Sequence, residues 1–203
     1  MDASTTTTGE SRAATPRQGR ARTLAVMAIT AVVIATVAFI VNQPNTSAGG
    51  ITSVTLTGAT TGEAPTGGQL APDFQASTVD GRTVRLSDFK GHPVWLTFGA
   101  SWCQPCRAEN PDIQAVYERS RASGLVVLAI FMSEDAAAVR DYADRVGLTY
   151  DKVADPATTL ASQYRILGIP SHFFIDGDGV LREVKIGALD QAGMERAIEG
   201  IRS

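Results

Sequence analysis

Phe98-Gly99-Ala100-Ser101-Trp102-Cys103-Gln104-Pro105-Cys106-Arg107-Ala108-Glu109 contains the only two cysteines of the chain, separated by two residues. Before it runs Val94-Trp95-Leu96-Thr97-Phe98, nearly continuous in apolar residues, as a buried strand requires. After it, Ile113, Val116 and Tyr117 recur at helical spacing. A Cys-x-x-Cys at a strand-to-helix junction sets its first sulfur beside unpaired backbone N–H groups and the positive end of the helix dipole. That field favours the thiolate, the reactive form of the thiol. The second sulfur lies one helical turn on, within reach of the first, so the spacing suits a reversible dithiol/disulfide couple.

Two plainer readings compete. A purely structural disulfide normally closes a longer loop, because a tiny loop removes little unfolded-state entropy. A zinc site needs four ligands, and His92 and His172 are the only other strong candidates. Redox use is the best reading of the pair, with no metal.

At 203 residues and a net charge of −3, the chain fits one domain with appendages and gives no sign of nucleic-acid binding. Residues 1–23 are rich in Thr, Ser and Arg without a periodic apolar face, and read as a disordered tail. Leu24 to Val41 then runs for 18 residues without charge, Gly or Pro. As a helix it would span about 27 Å, enough for a hydrocarbon core. Arginines 12, 17, 20 and 22 precede it, and no Lys or Arg appears between Val41 and Arg82. The excess of positive charge places the N-terminus in the cytoplasm and the rest of the chain outside. The rival is a cleavable signal peptide, with Thr46-Ser47-Ala48 as a weak cleavage site, but the apolar run is longer than such peptides use. Residues 42–70, with six glycines, read as a flexible linker in which Ile51, Val54 and Leu56 hint at an edge strand. Asn45-Thr46-Ser47 matches a glycosylation sequon.

The remaining 71–203 suffice for one compact core. Asp80-Gly81 between Phe74–Thr78 and Thr83–Leu86 predicts a hairpin. Val94–Phe98 and Leu125–Met132 predict buried strands, the second parallel. The helix that follows Cys103 carries Pro111, which should bend it. Ala136–Val146 predicts a helix closed by Gly147. Tyr150–Val153 reads as a strand and Ala157–Tyr164 as a short helix. Ser171–Ile175 and Val180–Ile186 read as strands around the turn Asp176-Gly177-Asp178-Gly179, and Gln191–Ile201 as a closing helix. This order implies an α/β sandwich on a mixed sheet.

Ala71-Pro72-Asp73-Phe74, the Asp80-Gly81 hairpin, Leu86-Ser87-Asp88-Phe89-Lys90-Gly91, Trp102-Cys103-Gln104-Pro105-Cys106, Gly168-Ile169-Pro170 and Phe173-Phe174-Ile175-Asp176-Gly177-Asp178-Gly179 occur in that order. Together they resemble the membrane-anchored TlpA/ResA-like thiol-disulfide oxidoreductases, redoxin (AhpC/TSA-like) members of the thioredoxin superfamily. The resemblance implies a thioredoxin fold outside the cytoplasm, its mixed sheet flanked by helices on both faces and preceded by an N-terminal β-hairpin. By position it makes Cys103 the exposed nucleophile, Cys106 the resolving thiol and Pro170 a cis-proline facing the disulfide. It places Trp102 and Ile169 where substrate binds, and Glu109 where a carboxylate can take the proton that Cys106 loses. The plainer alternative for Glu109 is a solvated side chain that suits an early helical turn.

Three residues depart from the superfamily pattern. Gly99 replaces a frequent Trp and is expected to open one wall of the site, and Thr97 replaces the buried Asp of cytoplasmic thioredoxins. His172 replaces a small hydroxyl residue after the proline, either as a packed strand residue or as an electrostatic influence on the site. The implied partners are proteins with thiols or disulfides and a membrane electron donor of the thiol-disulfide interchange type, with no cofactor. Relatives of this kind serve cytochrome c maturation or copper delivery to oxidases, and Gln104-Pro105 does not separate a reductant from an oxidant. A peroxidase would need Ser or Thr at Ala100. A copper-handling thiol protein is the alternative from another class, since soft thiolates suit Cu(I).

Overall fold

The computed structural model describes residues 18–41, 55–56 and 64–202, with side chains over 27–38 and 64–202. The chain divides into two units, Met1–Ser47 and Ala48–Ser203. In the first, helix α1 spans Gln18–Val41. It starts six residues before the apolar run, where Gln18, Arg20, Ala21 and Arg22 are good helix formers and Gly19 falls in the first turn. Among the described residues no helix is long and apolar enough to cross a membrane. The expected tail up to residue 17, the cleavage site and the sequon lie outside the described residues.

The second unit opens with β1 (Thr55–Leu56), β2 (Phe74–Ser77) and β3 (Thr83–Arg85), an antiparallel sheet in the order β1-β2-β3. Thr78 N–H to Arg82 O (2.8 Å) and Gly81 at φ 85° close the hairpin turn. Part of the stretch read as linker therefore belongs to the folded unit. Gly68 N–H donates to Leu181 O (2.7 Å), Leu181 N–H to Gln69 O (2.8 Å), and Leu70 bridges Val180. Edge pairing of this sort uses backbone groups, so Gly- and Thr-rich composition concealed it.

The main sheet holds β4 (Val94–Gly99), β5 (Val126–Met132), β6 (Asp151–Asp155), β7 (Ser171–Ile175) and β8 (Leu181–Ile186) in the order β6-β5-β4-β7-β8. β4, β5 and β6 run parallel, whereas β7 pairs antiparallel with β4 and β8. Helices α2 (Gln104–Ser120) and α3 (Ala136–Val146) make the parallel crossovers; α4 (Thr159–Gln163) and α5 (Gln191–Glu199) follow.

Strand alternation sorts the core. Trp95, Val127, Ala129, Phe131 and Phe174 meet Ile113 and Val116 of α2, Val139 and Tyr142 of α3, and Met194 and Ile198 of α5. Leu96, Phe98, Leu128, Ile130 and Phe173 face the other way, against Phe74 and Val84 of the hairpin and Leu160 and Tyr164 near α4. Each fully buried Leu, Ile or Phe contributes roughly 1.5–3 kcal/mol, so both layers resist being pulled off the sheet.

The resembling segments act as pins between elements. Asp73 accepts Ser87 N–H (2.9 Å) and Ser87 Oγ–H (3.0 Å). Gly91 N–H donates to Gly177 O (2.8 Å), and a Cβ on Gly177 would stand 3.4 Å from the Gly91 carbonyl carbon. With β4 and β5 parallel and in register from Val94↔Val126 to Gly99↔Phe131, the loops that leave their carboxyl ends emerge side by side. Sheets of this type place their sites at such an edge.

Candidate active site

Cys103 leaves β4 in an extended conformation (φ −79°, ψ 112°) and serves as the N-cap of α2. Its Sγ accepts the Cys106 backbone N–H at 3.2 Å, a charge-favouring contact at the positive end of the helix. Pro105 sits in the first turn, where its missing N–H costs nothing. The buried positions of α2 are Cys106, Glu109, Asn110, Ile113, Val116 and Ser120. The stripe that packs the helix on the sheet thus carries Cys106 and Glu109 inward with it. The helix continues through Pro111 without interruption.

The two sulfurs are joined, 2.08 Å apart, with Cα atoms 5.3 Å apart. Cys103 is only 6% exposed and Cys106 3%. The expectation of an openly exposed nucleophile is corrected here, because Ile169 packs on Ala100 and both cysteines. Trp102, 61% exposed, is the large side chain that stands free at the rim. The Ile169–Pro170 peptide bond is cis, and the Ile169 carbonyl oxygen lies 3.9 Å from Cys103 Sγ.

Gly99, expected to open one wall of the site, leaves its space against Cys106. A Cβ there would lie 3.5 Å from both Cβ and Sγ of Cys106. The space it leaves is behind the inner sulfur, since β4 ends directly beneath the first turn of α2.

Glu109 is 4% exposed and not a solvated surface residue. Its Oε2 accepts the Leu189 backbone N–H at 3.1 Å, and its Oε1 is 3.5 Å from Nε2 of His172. His172, fully buried, stands opposite Thr97 in the β4–β7 register and lies beside the stacked pair Trp95 and Phe174, with ring centroids 5.8 Å and 6.5 Å away. Its Nδ1 is 3.3 Å from Trp95 Nε1 and 3.1 Å from Thr97 Oγ1. His172 is thus packed in the core and in contact with a site carboxylate at once. His92, by contrast, precedes β4 and lies at the far end of that strand from Cys103.

Buried aromatic hydroxyls surround the inner side of α2. Asn110 Nδ2–H donates to Tyr142 OH (2.8 Å), and Tyr150 OH donates to Asn110 Oδ1 (3.4 Å). Burial pushes the Tyr150 phenol far up, and Tyr142 and the Glu109 carboxylate add to the shift. It stays neutral and serves as a hydrogen-bond donor.

A residue that sequence reasoning missed is Glu134. It is 9% exposed, and its Oε2 accepts the Ser101 N–H at 2.7 Å while Oε1 accepts the Ser101 hydroxyl. It holds the loop that presents Cys103. The available signal was topological: residues just beyond two adjacent parallel strands must meet.

The family model described as AhpC/TSA matches residues 67–184. Thiol-disulfide oxidoreductase ResA of Geobacillus kaustophilus is 33% identical over 135 residues, 66% of this chain and 78% of that protein. ResA of Oceanobacillus iheyensis is 33% identical over 138 residues, 66% of this chain and 72% of that protein. The crystal structure of a thiol:disulfide interchange protein of the thioredoxin family from Chlorobium tepidum superposes with a TM-score of 0.62 at 28% identity, covering 66% of this chain and 97% of that one. With its mixed sheet, helices on both faces and Cys103–Cys106 pair, the chain belongs to the AhpC/TSA family and is a thiol-disulfide oxidoreductase with a thioredoxin fold.

Proposed function

We propose that the protein is an extracytoplasmic disulfide reductase for partner proteins, in the manner of reductases that keep haem-binding cysteines reduced for cytochrome c maturation. The observation that carries the reading is a disulfide at a helix N-cap with a buried carboxylate one turn behind it. In the reduced protein the Cys103 thiolate attacks a substrate disulfide, joining Cys103 to one substrate sulfur and releasing the other as a thiolate. Cys106 then gives up its proton to Glu109 and attacks Cys103 Sγ. The Cys103–Cys106 bond forms, the mixed disulfide breaks, and the substrate leaves with two electrons. Trp102 and Ile169 supply the apolar rim for the substrate, and the backbone beside Pro170 lines the sulfur.

Each turnover leaves the protein oxidised, so a membrane donor of the thiol-disulfide interchange type must return two electrons. Anchoring by α1 fits this need. Its described large side chains, Met27, Ile29, Val32, Val33, Ile34 and Val37, are all apolar and exposed. The Thr36 hydroxyl donates to Val32 O at 2.6 Å, satisfying a polar group inside the helix as lipid demands. The arginines ahead of the run support an N-terminus on the cytoplasmic side.

The test is the reduction potential of the full chain in detergent, with insulin reduction as the activity. A potential near about −250 mV supports a reductant, and one near about −120 mV would make it an oxidant. Glu109→Gln should slow mixed-disulfide resolution and change its pH profile; a parent-like profile removes the role assigned to Glu109.

A further inference from the structure

The one buried imidazole of the site is fixed by what surrounds it. Trp95 Nε1 faces Nδ1 of His172 at 3.3 Å, with Thr97 Oγ1 at 3.1 Å from the same atom. An indole N–H can only donate, so Nδ1 must offer its lone pair, and a neutral ring then carries its proton on Nε2. Protonating Nδ1 as well would set two N–H groups against each other in a fully buried stack. Nε2 lies 3.5 Å from Glu109 Oε1, its nearest charged group, and is a buried nitrogen without a hydrogen-bond partner. The ring is therefore a neutral donor whose only polar outlet is the Glu109 carboxylate.

We propose that His172 is a positioning residue for thiol-disulfide exchange: held by Trp95 as the Nε2–H tautomer, it aims and stabilises the ionised carboxylate of Glu109. This rests on the reading of Glu109 as the group that takes the Cys106 proton. Leu189 N–H donates to Oε2, and the unsatisfied His172 Nε2 stands 3.5 Å from Oε1, within reach once the carboxylate closes on it. The two groups belong to separate elements, the segment before α5 and β7, and bracket the carboxylate.

Both present N–H groups, which can only donate and so match a carboxylate, the form able to accept a proton. The other ionisable groups nearby do not compete for this role. Tyr150 bonds to Asn110, and Lys185, which pairs with His172 in the β7–β8 register, has its ammonium on Glu183. A hydroxyl residue at position 172 would be too short to span from the Trp95 indole to Glu109. The effect on Cys106 passes entirely through Glu109.

The experiment uses the reduced full chain in detergent with an aromatic disulfide that releases a coloured thiolate. The first release reports attack by Cys103, the second resolution by Cys106. His172→Leu should slow the second release about tenfold near neutral pH, leaving the first release unchanged. His172→Gln, which keeps an uncharged N–H donor, should recover most of the rate. In a Glu109→Gln background, His172→Leu should add nothing.

A normal second release in His172→Leu, an equal slowing of both releases, or a loss that persists without the carboxylate would each overturn the proposal. Glu109→Gln behaving as the parent would remove the Glu109 reading and this inference with it, whereas a slow Glu109→Gln beside a normal His172→Leu removes only the inference. Should the variants fail to fold, nitrogen NMR of histidine-labelled parent protein decides. Nδ1 should be unprotonated and Nε2 should carry the proton, as the Trp95 N–H on Nδ1 requires. A protonated Nδ1 overturns the assignment.

Discussion

Glu134 and Ser101 lie 33 residues apart, and the carboxylate of the first accepts both the backbone N–H and the hydroxyl of the second. Two residues later comes Cys103, so this contact ties the approach to the nucleophile to the end of β5. Glu134→Ala would leave a part-buried amide without an acceptor and should destabilise the fold by about 2–3 kcal/mol, whereas Ser101→Ala removes one bond and should cost about 1 kcal/mol. Urea unfolding measures both. Equal effects of the two substitutions would mean that the backbone bond carries no weight.

The two cysteines should behave unequally. Cys106→Ser is expected to accumulate mixed disulfides through Cys103, and Cys103→Ser to accumulate none, because the N-cap sulfur receives the helix-terminal N–H. Alkylation of the reduced protein followed by peptide mapping checks the order. Faster labelling of Cys106 would reverse the roles.

Gly99 sets a size limit behind the inner sulfur. Its added Cβ would be in ordinary contact with Cys106, 3.5 Å from both Cβ and Sγ, so Gly99→Ala should keep its rate within about twofold. Gly99→Leu must displace the first turn of α2, and overpacking of this kind destabilises by about 1–3 kcal/mol. Insulin reduction and thermal unfolding of the two variants test the ordering.

Asp176 should give the fold a pH dependence of known sign. Burial pushes its carboxyl up, but N–H bonds from Val180 and Asp178 and the guanidinium of Arg182 outweigh that and hold it below its ordinary value of 3.8. Its contribution is therefore complete above that value and lost as the pH falls through the lower folded value. Asp176→Asn should be less stable than the parent at neutral pH, with the gap closing in strong acid. A constant gap across the acid limb would show that the charge plays no part.

A fragment that starts at Gly67 should fold and reduce insulin, and one that starts at Ala71 should be less stable, because it loses the Gly68–Leu181 and Gln69–Leu181 backbone bonds. Denaturant midpoints distinguish them. Identical midpoints would make that edge pairing dispensable.

Much of the fold was legible in the sequence because its determinants are local. The apolar runs at Val94–Phe98 and Leu125–Met132, the Asp80-Gly81 turn and the Ala136–Val146 period each specify one element by spacing and turn chemistry, and β4, β5, the hairpin and α3 lie where those signals put them. The Cys-x-x-Cys pair was legible for the same reason: three residues along one helix turn bring its sulfurs together. Tertiary structure alone decided the rest. Glu109 and His172, 63 residues apart in the chain, meet because α2 packs on the sheet face that carries Trp95 and Phe174. Glu134 reaches Ser101 because two parallel strands end together, and Gly99 lies behind Cys106 because β4 stops under α2. The geometry of the Ile169–Pro170 bond is also of this kind, since an isolated X-Pro bond prefers trans and only its packed surroundings select the other form. Contacts between distant segments depend on how whole elements stack, and no spacing within either segment encodes them.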